Sequence, residues 1–105
     1  MVTTPEGKVK AQIKKVLDSF DRHVYTFMPV QTGYGATTID YLCCIDGLFI
    51  GIEAKAPGKK PTSRQDGVME DIRRAGGSTF VVDDDESLEV LEQFLHSVAH
   101  TWRNA

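Results

Sequence analysis

Residues 39–55 read "IDYLCCIDGLFIGIEAK", and the fold turns on them. Two apolar, strand-forming runs, Ile39 to Ile45 and Leu48 to Ala54, flank Asp46-Gly47, a dipeptide favoured in two-residue hairpin turns. Such a turn pairs Ile45 with Leu48. Counting outward along both strands then sets Asp40 directly across from Glu53, and a symmetric four-residue loop gives the same register. Because strand side chains alternate faces, Glu53 and Lys55 emerge on one side of the sheet.

An E-x-K at the end of a strand has an ordinary reading as an ion pair where the strand reaches solvent. The facing aspartate changes its weight. Directly opposed side chains stand roughly 4.5–5.5 Å apart, and like charges there are destabilising. Two carboxylates this close repel unless they share a proton or a cation. With hard oxygen ligands and positions left for water and phosphate, the natural cation is Mg²⁺ or Mn²⁺. The Ala54 carbonyl, between Glu53 and Lys55, is a further candidate ligand. An ion on Asp40 and Glu53 polarises a phosphoryl oxygen and lowers the pKa of a bound water. Lys55 is placed to orient or deprotonate that water, or to hold transition-state charge. Hydrolysis of a phosphodiester is the expected reaction.

The flanking sequence builds a single α/β domain over residues 1–105, with no repeat or linker. Val9, Ile13, Val16, Leu17 and Phe20 fall on one helical stripe between Pro5 and Asp21. Thr4 suits the N-cap, Pro5 the first position and Glu6 the first turn. Val24 to Val30 reads as a strand that Pro29 places near an edge or an end. Gln31 to Thr37, with Gly33 and Gly35, reads as a loop. After the hairpin, Ser63 is expected to cap a helix to about Ala75, which Gly76-Gly77 ends. Ser78 to Val82 reads as a short strand. Ser87 to Arg103 forms a last helix with Leu88, Leu91, Leu95, Val98 and Trp102 in one stripe. The order α-β-β-β-α-β-α implies a mixed sheet flanked by helices.

Composition narrows the class. Apolar content of 41% and charged content of 26% are ordinary for a globular domain. No apolar run approaches the ~20 residues a membrane span needs, and no signal sequence follows Met1, so a cytoplasmic protein with no membrane partner is expected. Cys43 and Cys44 are adjacent and match neither a disulfide framework nor a metal knuckle; both read as small apolar residues. A net charge of −3 argues against nonspecific coating of nucleic acid. Basic residues nevertheless gather between Lys55 and Arg74, while Asp83-Asp84-Asp85-Glu86 carries negative charge apart from them. His96 and His100 lie one helical turn apart with no third ligand in view, and read as surface histidines.

"TTIDYLCC…GIEAKAP" resembles the PD-(D/E)xK nuclease motif, with Ile39-Asp40 in place of the usual Pro-Asp and Glu53-Ala54-Lys55 as its second half. The following "GKKPTSRQ" is similar to the stretch that, in the VRR-NUC (virus-type replication-repair nuclease) branch, leads to a glutamine on the next helix; Gln65 matches it. Glu6 matches the acid that this branch adds from its first helix. The resemblance spans about residues 5 to 82 and is to the short stand-alone phage and bacterial members. It implies a restriction-endonuclease-like α-β-β-β-α-β core, here with an added C-terminal helix. It also implies metal ligation by Asp40, Glu53, the Ala54 carbonyl and Glu6, catalysis by Lys55, and support of the site by Gln65.

Lys59, Lys60 and Arg64 flank the motif and are candidate phosphate contacts, though a solvated loop looks much the same. Tyr34 either stacks on a splayed base or covers the sheet. The resemblance implies action on branched DNA, a four-way Holliday junction above all, by a two-fold homodimer. One small site needs a second subunit to span such a substrate. The last helix or an apolar edge strand would supply the interface, the former having the plainer role of covering the sheet. A 5′-flap nuclease and a DNA-binding module without catalysis stand as the alternatives.

Overall fold

The computed structural model describes residues 4–30 and 38–103, apart from the side chains of Arg22 and of residues 100–103. Eight elements follow one another: α1 (Pro5–Asp18), a 3₁₀ turn (Asp21–His23), β1 (Val24–Phe27), β2 (Tyr41–Ile45), β3 (Leu48–Ala54), α2 (Ser63–Arg74), β4 (Ser78–Val82) and α3 (Asp85–Arg103). The sheet runs β1-β2-β3-β4. Its first three strands are antiparallel, and β4 lies parallel to β3 after the α2 crossover. The chain is thus an α/β domain with a four-stranded mixed sheet and three helices.

The hairpin register is the expected one, Ile45 opposite Leu48 and Tyr41 opposite Ile52. Asp46 and Gly47 have φ of 47° and 91°. Positive φ at both central residues defines a type I′ turn, whose twist matches that of the strands it joins. Asp46 is also tied to the 3₁₀ turn: its N–H donates to the His23 carbonyl at 3.2 Å, and its Oδ1 lies 3.2 Å from His23 Nδ1.

Alternation along the strands divides the sheet into two faces. Tyr41, Cys43, Ile45, Ile50, Ile52, Ala54 and Val82 turn to one side and meet Val9, Ile13 and Leu17 of α1 and Leu91, Leu95 and Ala99 of α3. Spacings of four residues put each helical trio on a single stripe. The α3 stripe therefore covers the sheet, with Leu88, Phe94 and Val98 packed alongside. On the opposite face α2 approaches β3 at Gly51. A Cβ there would stand 2.6 Å from Ile39 Cδ1 and 2.8 Å from Ile72 Cδ1. The absent side chain lets Ile39 seat fully buried, and Ile39 carries Asp40 with it.

Besides the start of β2, four boundaries differ from expectation. The first helix stops at Asp18, and Asp21, at φ 52°, redirects the chain into the 3₁₀ turn. The first strand ends at Phe27, since Pro29 has no N–H for a ladder. Thr62, not Ser63, caps α2: its side chain accepts the Gln65 N–H, leaving Ser63 as the first helical residue. The last helix opens at Asp85 because Asp84 Oδ1 accepts the Ser87 N–H at 2.8 Å while Ser87 Oγ accepts the Asp84 N–H at 3.1 Å. These reciprocal bonds place Ser87 inside the first turn, not before it. Among the described residues no helix is long and apolar enough to cross a membrane.

Candidate active site

Asp40 and Glu53 meet at the open end of the β2–β3 hairpin, just past the last ladder pair. The Asp40 N–H donates to Glu53 Oε1 at 3.1 Å, and Asp40 Oδ2 accepts the Ala54 N–H at 2.9 Å. These bonds explain why β2 begins at Tyr41 and not at Ile39. Two carboxylates have taken the place of ladder partners, so strand pairing ends where the acids begin. Each acid is held by a backbone amide, so its position follows the sheet and not a free rotamer.

Glu53 is 2% exposed and is the buried charged residue of this core. Burial, with Asp40 beside it, pushes its carboxyl up to about 7, against the partial relief of the Asp40 N–H and the Lys55 ammonium. Lys55 Nζ stands 3.5 Å from Glu53 Oε2, and its side chain is 15% exposed. The same-face reading of the E-x-K holds in space. Lys55 N–H donates to the Val82 carbonyl on β4 at 3.0 Å. Backbone groups alternate sides along a strand, so those of Ala54 face the Asp40 side, where its N–H is found. Its carbonyl leaves the strand on that side too.

A second lysine enters from α1. Lys10 Nζ lies 3.6 Å from Asp40 Oδ1 and 3.5 Å from Glu6 Oε2. The helix is fixed to the hairpin next to this contact by the fully buried Tyr41, whose hydroxyl donates to the Lys10 carbonyl at 3.3 Å. Burial and the neighbouring Asp40 push that phenol up to about 12. Sequence reasoning missed Lys10. Its spacing of four from Glu6 was the available signal, but it reads equally well as an exposed intrahelical pair.

The remaining candidates divide. Glu6 reaches the acids through Lys10: it is half-buried, and among the described residues no group of three or more His, Cys, Asp and Glu stands close enough to hold a metal. Gln65 closes a capping box instead, its Oε1 accepting the Thr62 N–H at 2.9 Å, and no described contact ties it to Asp40, Glu53 or Lys55. Lys59, Lys60 and Arg64 are exposed on the loop and first turn that follow Lys55. Tyr34 lies outside the described residues, as do the side chains of His100 and Trp102. His96 is exposed and packs its ring at a tilt against Phe20.

The acidic stretch Asp83–Glu86 is not remote from the motif. The Gly58 N–H donates to Asp83 Oδ2, and Asp83, Asp84 and Asp85 line an open cleft of about 450 Å³ with Pro5, Lys8, Val9, Gln12 and Pro57. Sequence distance had suggested separation; the parallel β3–β4 pairing brings both strand ends to one edge. Asp40, Glu53 and Lys55 do not line this cleft.

The donor set suits one small hard cation. Two carboxylates and a carbonyl, with water and phosphate completing the shell, are the ligands that Mg²⁺ and Mn²⁺ take. Two acids so close, one of them buried and reluctant to ionise, gain most from a divalent charge between them. No protein-family model matches the chain, and a search of curated proteins finds no match.

Proposed function

We propose that this chain is a divalent-metal-dependent endodeoxyribonuclease of the PD-(D/E)xK type, with a restriction-endonuclease-like core and a motif set that resembles the VRR-NUC branch. The observation that carries the reading is the reciprocal seating of Asp40 and Glu53 with Lys55 beside them. An ionised Glu53 buried against Asp40 costs the fold stability, and sites of this kind are where strongly shifted carboxylates gather.

In this reading Asp40, Glu53 and the Ala54 carbonyl hold Mg²⁺ or Mn²⁺. When bound, the ion polarises the scissile phosphoryl group and acidifies the attacking water. The backbone amides of Asp40 and Ala54 fix the carboxylates in advance, so little reorganisation is left for the reaction. Lys55, at the rim and still in contact with solvent, orients the water or holds the charge that grows on the phosphoryl oxygens. Lys59, Lys60 and Arg64 meet the flanking phosphates.

The substrate is branched DNA, a four-way junction, cut by a homodimer in the cytoplasm of a bacterium or phage-infected host. Support for the dimer comes from β1. It pairs only with β2 among the described residues, and Tyr25 (73% exposed) and Phe27 (54%) stand open on it. Tyr25, Cys44 and Phe49 form one exposed cross-strand row. An apolar edge of this kind invites a second strand.

The test uses labelled four-way junction, 5′ flap and plain duplex with Mg²⁺, Mn²⁺ or EDTA, and Lys55→Ala in parallel. Paired symmetric nicks in the junction, lost with EDTA and with Lys55→Ala, are expected. Flap cutting alone would keep the site and discard the resolvase. Binding without cleavage would make the chain a DNA-binding module.

A further inference from the structure

Asp40 and Glu53 each divide their two oxygens between different partners. The inner pair, Asp40 Oδ2 and Glu53 Oε1, accept backbone N–H groups at 2.9 and 3.1 Å. The outer pair, Asp40 Oδ1 and Glu53 Oε2, face the ammoniums of Lys10 and Lys55 at 3.6 and 3.5 Å. The amide contacts have hydrogen-bond length. The ammonium contacts are longer: Lys55 keeps a weak hydrogen bond to Glu53 beside its charge attraction, and Lys10 holds Asp40 by charge attraction. Oxygens held by amides stay put when the surroundings change, whereas those facing a loosely held, flexible ammonium can exchange one cation for another.

The two lysines are not equivalent. Lys55 follows directly on β3, its own N–H hydrogen-bonded to the Val82 carbonyl, and its side chain is mostly buried. Lys10 belongs to α1, its side chain is 40% exposed, and its second partner is the half-buried Glu6 one turn earlier on the same helix. An ammonium on such a stem can leave Asp40 for Glu6 or for solvent without disturbing the core.

We propose that Lys10 is the resident counter-ion of Asp40, which the incoming divalent cation displaces, and that Glu6 is the parking place for the displaced ammonium. Glu6 then acts on the metal site through Lys10. This inference rests on the reading of Asp40 and Glu53 as metal ligands and assigns a positioning role, not a chemical one. Lys10 keeps the acids from repelling one another while no metal is present, and lowers metal affinity by competing for Asp40 Oδ1.

The experiment is a calorimetric titration of the full chain with Mn²⁺ alone, comparing wild type with Lys10→Met, Lys10→Arg and Asp40→Asn. Lys10→Met keeps the length and apolar stem of a side chain that stands at the edge of the core, so folding should be preserved. It is expected to bind Mn²⁺ about fivefold tighter, the order expected for removing one partly screened competing charge. Lys10→Arg, which keeps the charge, is expected to match wild type, and Asp40→Asn to lose binding. Equal or weaker binding by Lys10→Met, with binding still lost in Asp40→Asn, would overturn the role of Lys10 and leave the metal site standing. Absence of Mn²⁺ binding in both wild type and Lys10→Met at millimolar ion would overturn the metal site and this inference with it.

Discussion

Asp40 and Glu53 lock one another in place through the backbone: the Asp40 N–H donates to Glu53 Oε1 at 3.1 Å, and Asp40 Oδ2 accepts the N–H of Ala54, the residue after Glu53, at 2.9 Å. Two acids that repel are thereby built into the end of a hairpin. The hydrogen bonds specify where the charges stand, and burial makes one of them reluctant to exist.

That reluctance sets a stability profile. Glu53 ionises near 7 in the fold, against 4.5 for an ordinary glutamate. A raised acid stabilises the fold fully below its unfolded value, and that contribution is lost as pH rises through about 7. For this buried group the loss amounts to about 3 kcal/mol, complete by about pH 8. Glu53→Gln, which keeps an oxygen for the Asp40 N–H, should therefore melt higher than wild type at pH 8 in EDTA. The advantage should shrink towards pH 5. Thermal melts at the two pH values measure this, and a Glu53→Gln protein less stable at pH 8 contradicts the profile.

Metal affinity should share the same pH window. Near pH 7 about half of the Glu53 carboxyls carry a proton that a bound ion must expel. Mn²⁺ binding should strengthen as pH rises from 6 to 8 and release protons over that range. Calorimetry in two buffers of different ionisation enthalpy reads both effects. An affinity flat across the window would remove Glu53 from the ligand set.

Gln65 can be assigned by separating stability from turnover. Its side chain supports the Thr62 cap, so Gln65→Ala should destabilise the fold by about 1 kcal/mol. Gln65→Glu, also suited to a capping box, should not. Cleavage lost in Gln65→Ala with an unchanged melting temperature would instead return the residue to the reaction.

Lys59 and Lys60 are exposed beside the motif. If both contact phosphates, the double alanine variant should weaken binding to junction and duplex alike. It should also reduce the slope of log affinity against log salt by about 2. An unaltered slope would mean that the loop is simply solvated.

Phe27 and Tyr25 give the dimer its own test. Phe27→Lys places charge on the β1 edge without touching the buried face, so the fold should survive. Sedimentation equilibrium should show a dimer in wild type and a monomer in the variant. A wild-type monomer, or a Phe27→Lys dimer, would exclude this edge.

Much of the site was legible because it depends on local rules. A type I′ turn at Asp46-Gly47 sets the register of both strands that it joins, and register alone puts Asp40 opposite Glu53. Alternation along β3 then puts Lys55 with Glu53. The helical stripes of α1 and α3 follow from spacing in the same way, and both stripes face the sheet as expected. Gln65 shows the limit of motif matching: position on a helix was readable, but an N3 glutamine next to a threonine N-cap also satisfies the backbone locally, and that local bond is the one the fold makes.

The chain's own order of residues was thus enough to determine the hairpin, its register and the pairing of two acids with one lysine, since each follows from geometry within a few residues of the turn. Only the tertiary structure decided that Glu53 would be buried, that Lys10 would come from α1 to face Asp40, and that the acidic stretch after β4 would lie beside the loop after β3. Those facts depend on how α1 crosses the sheet and on the parallel pairing of β3 with β4. Such contacts join segments far apart in the chain, and no periodicity within either segment encodes the meeting.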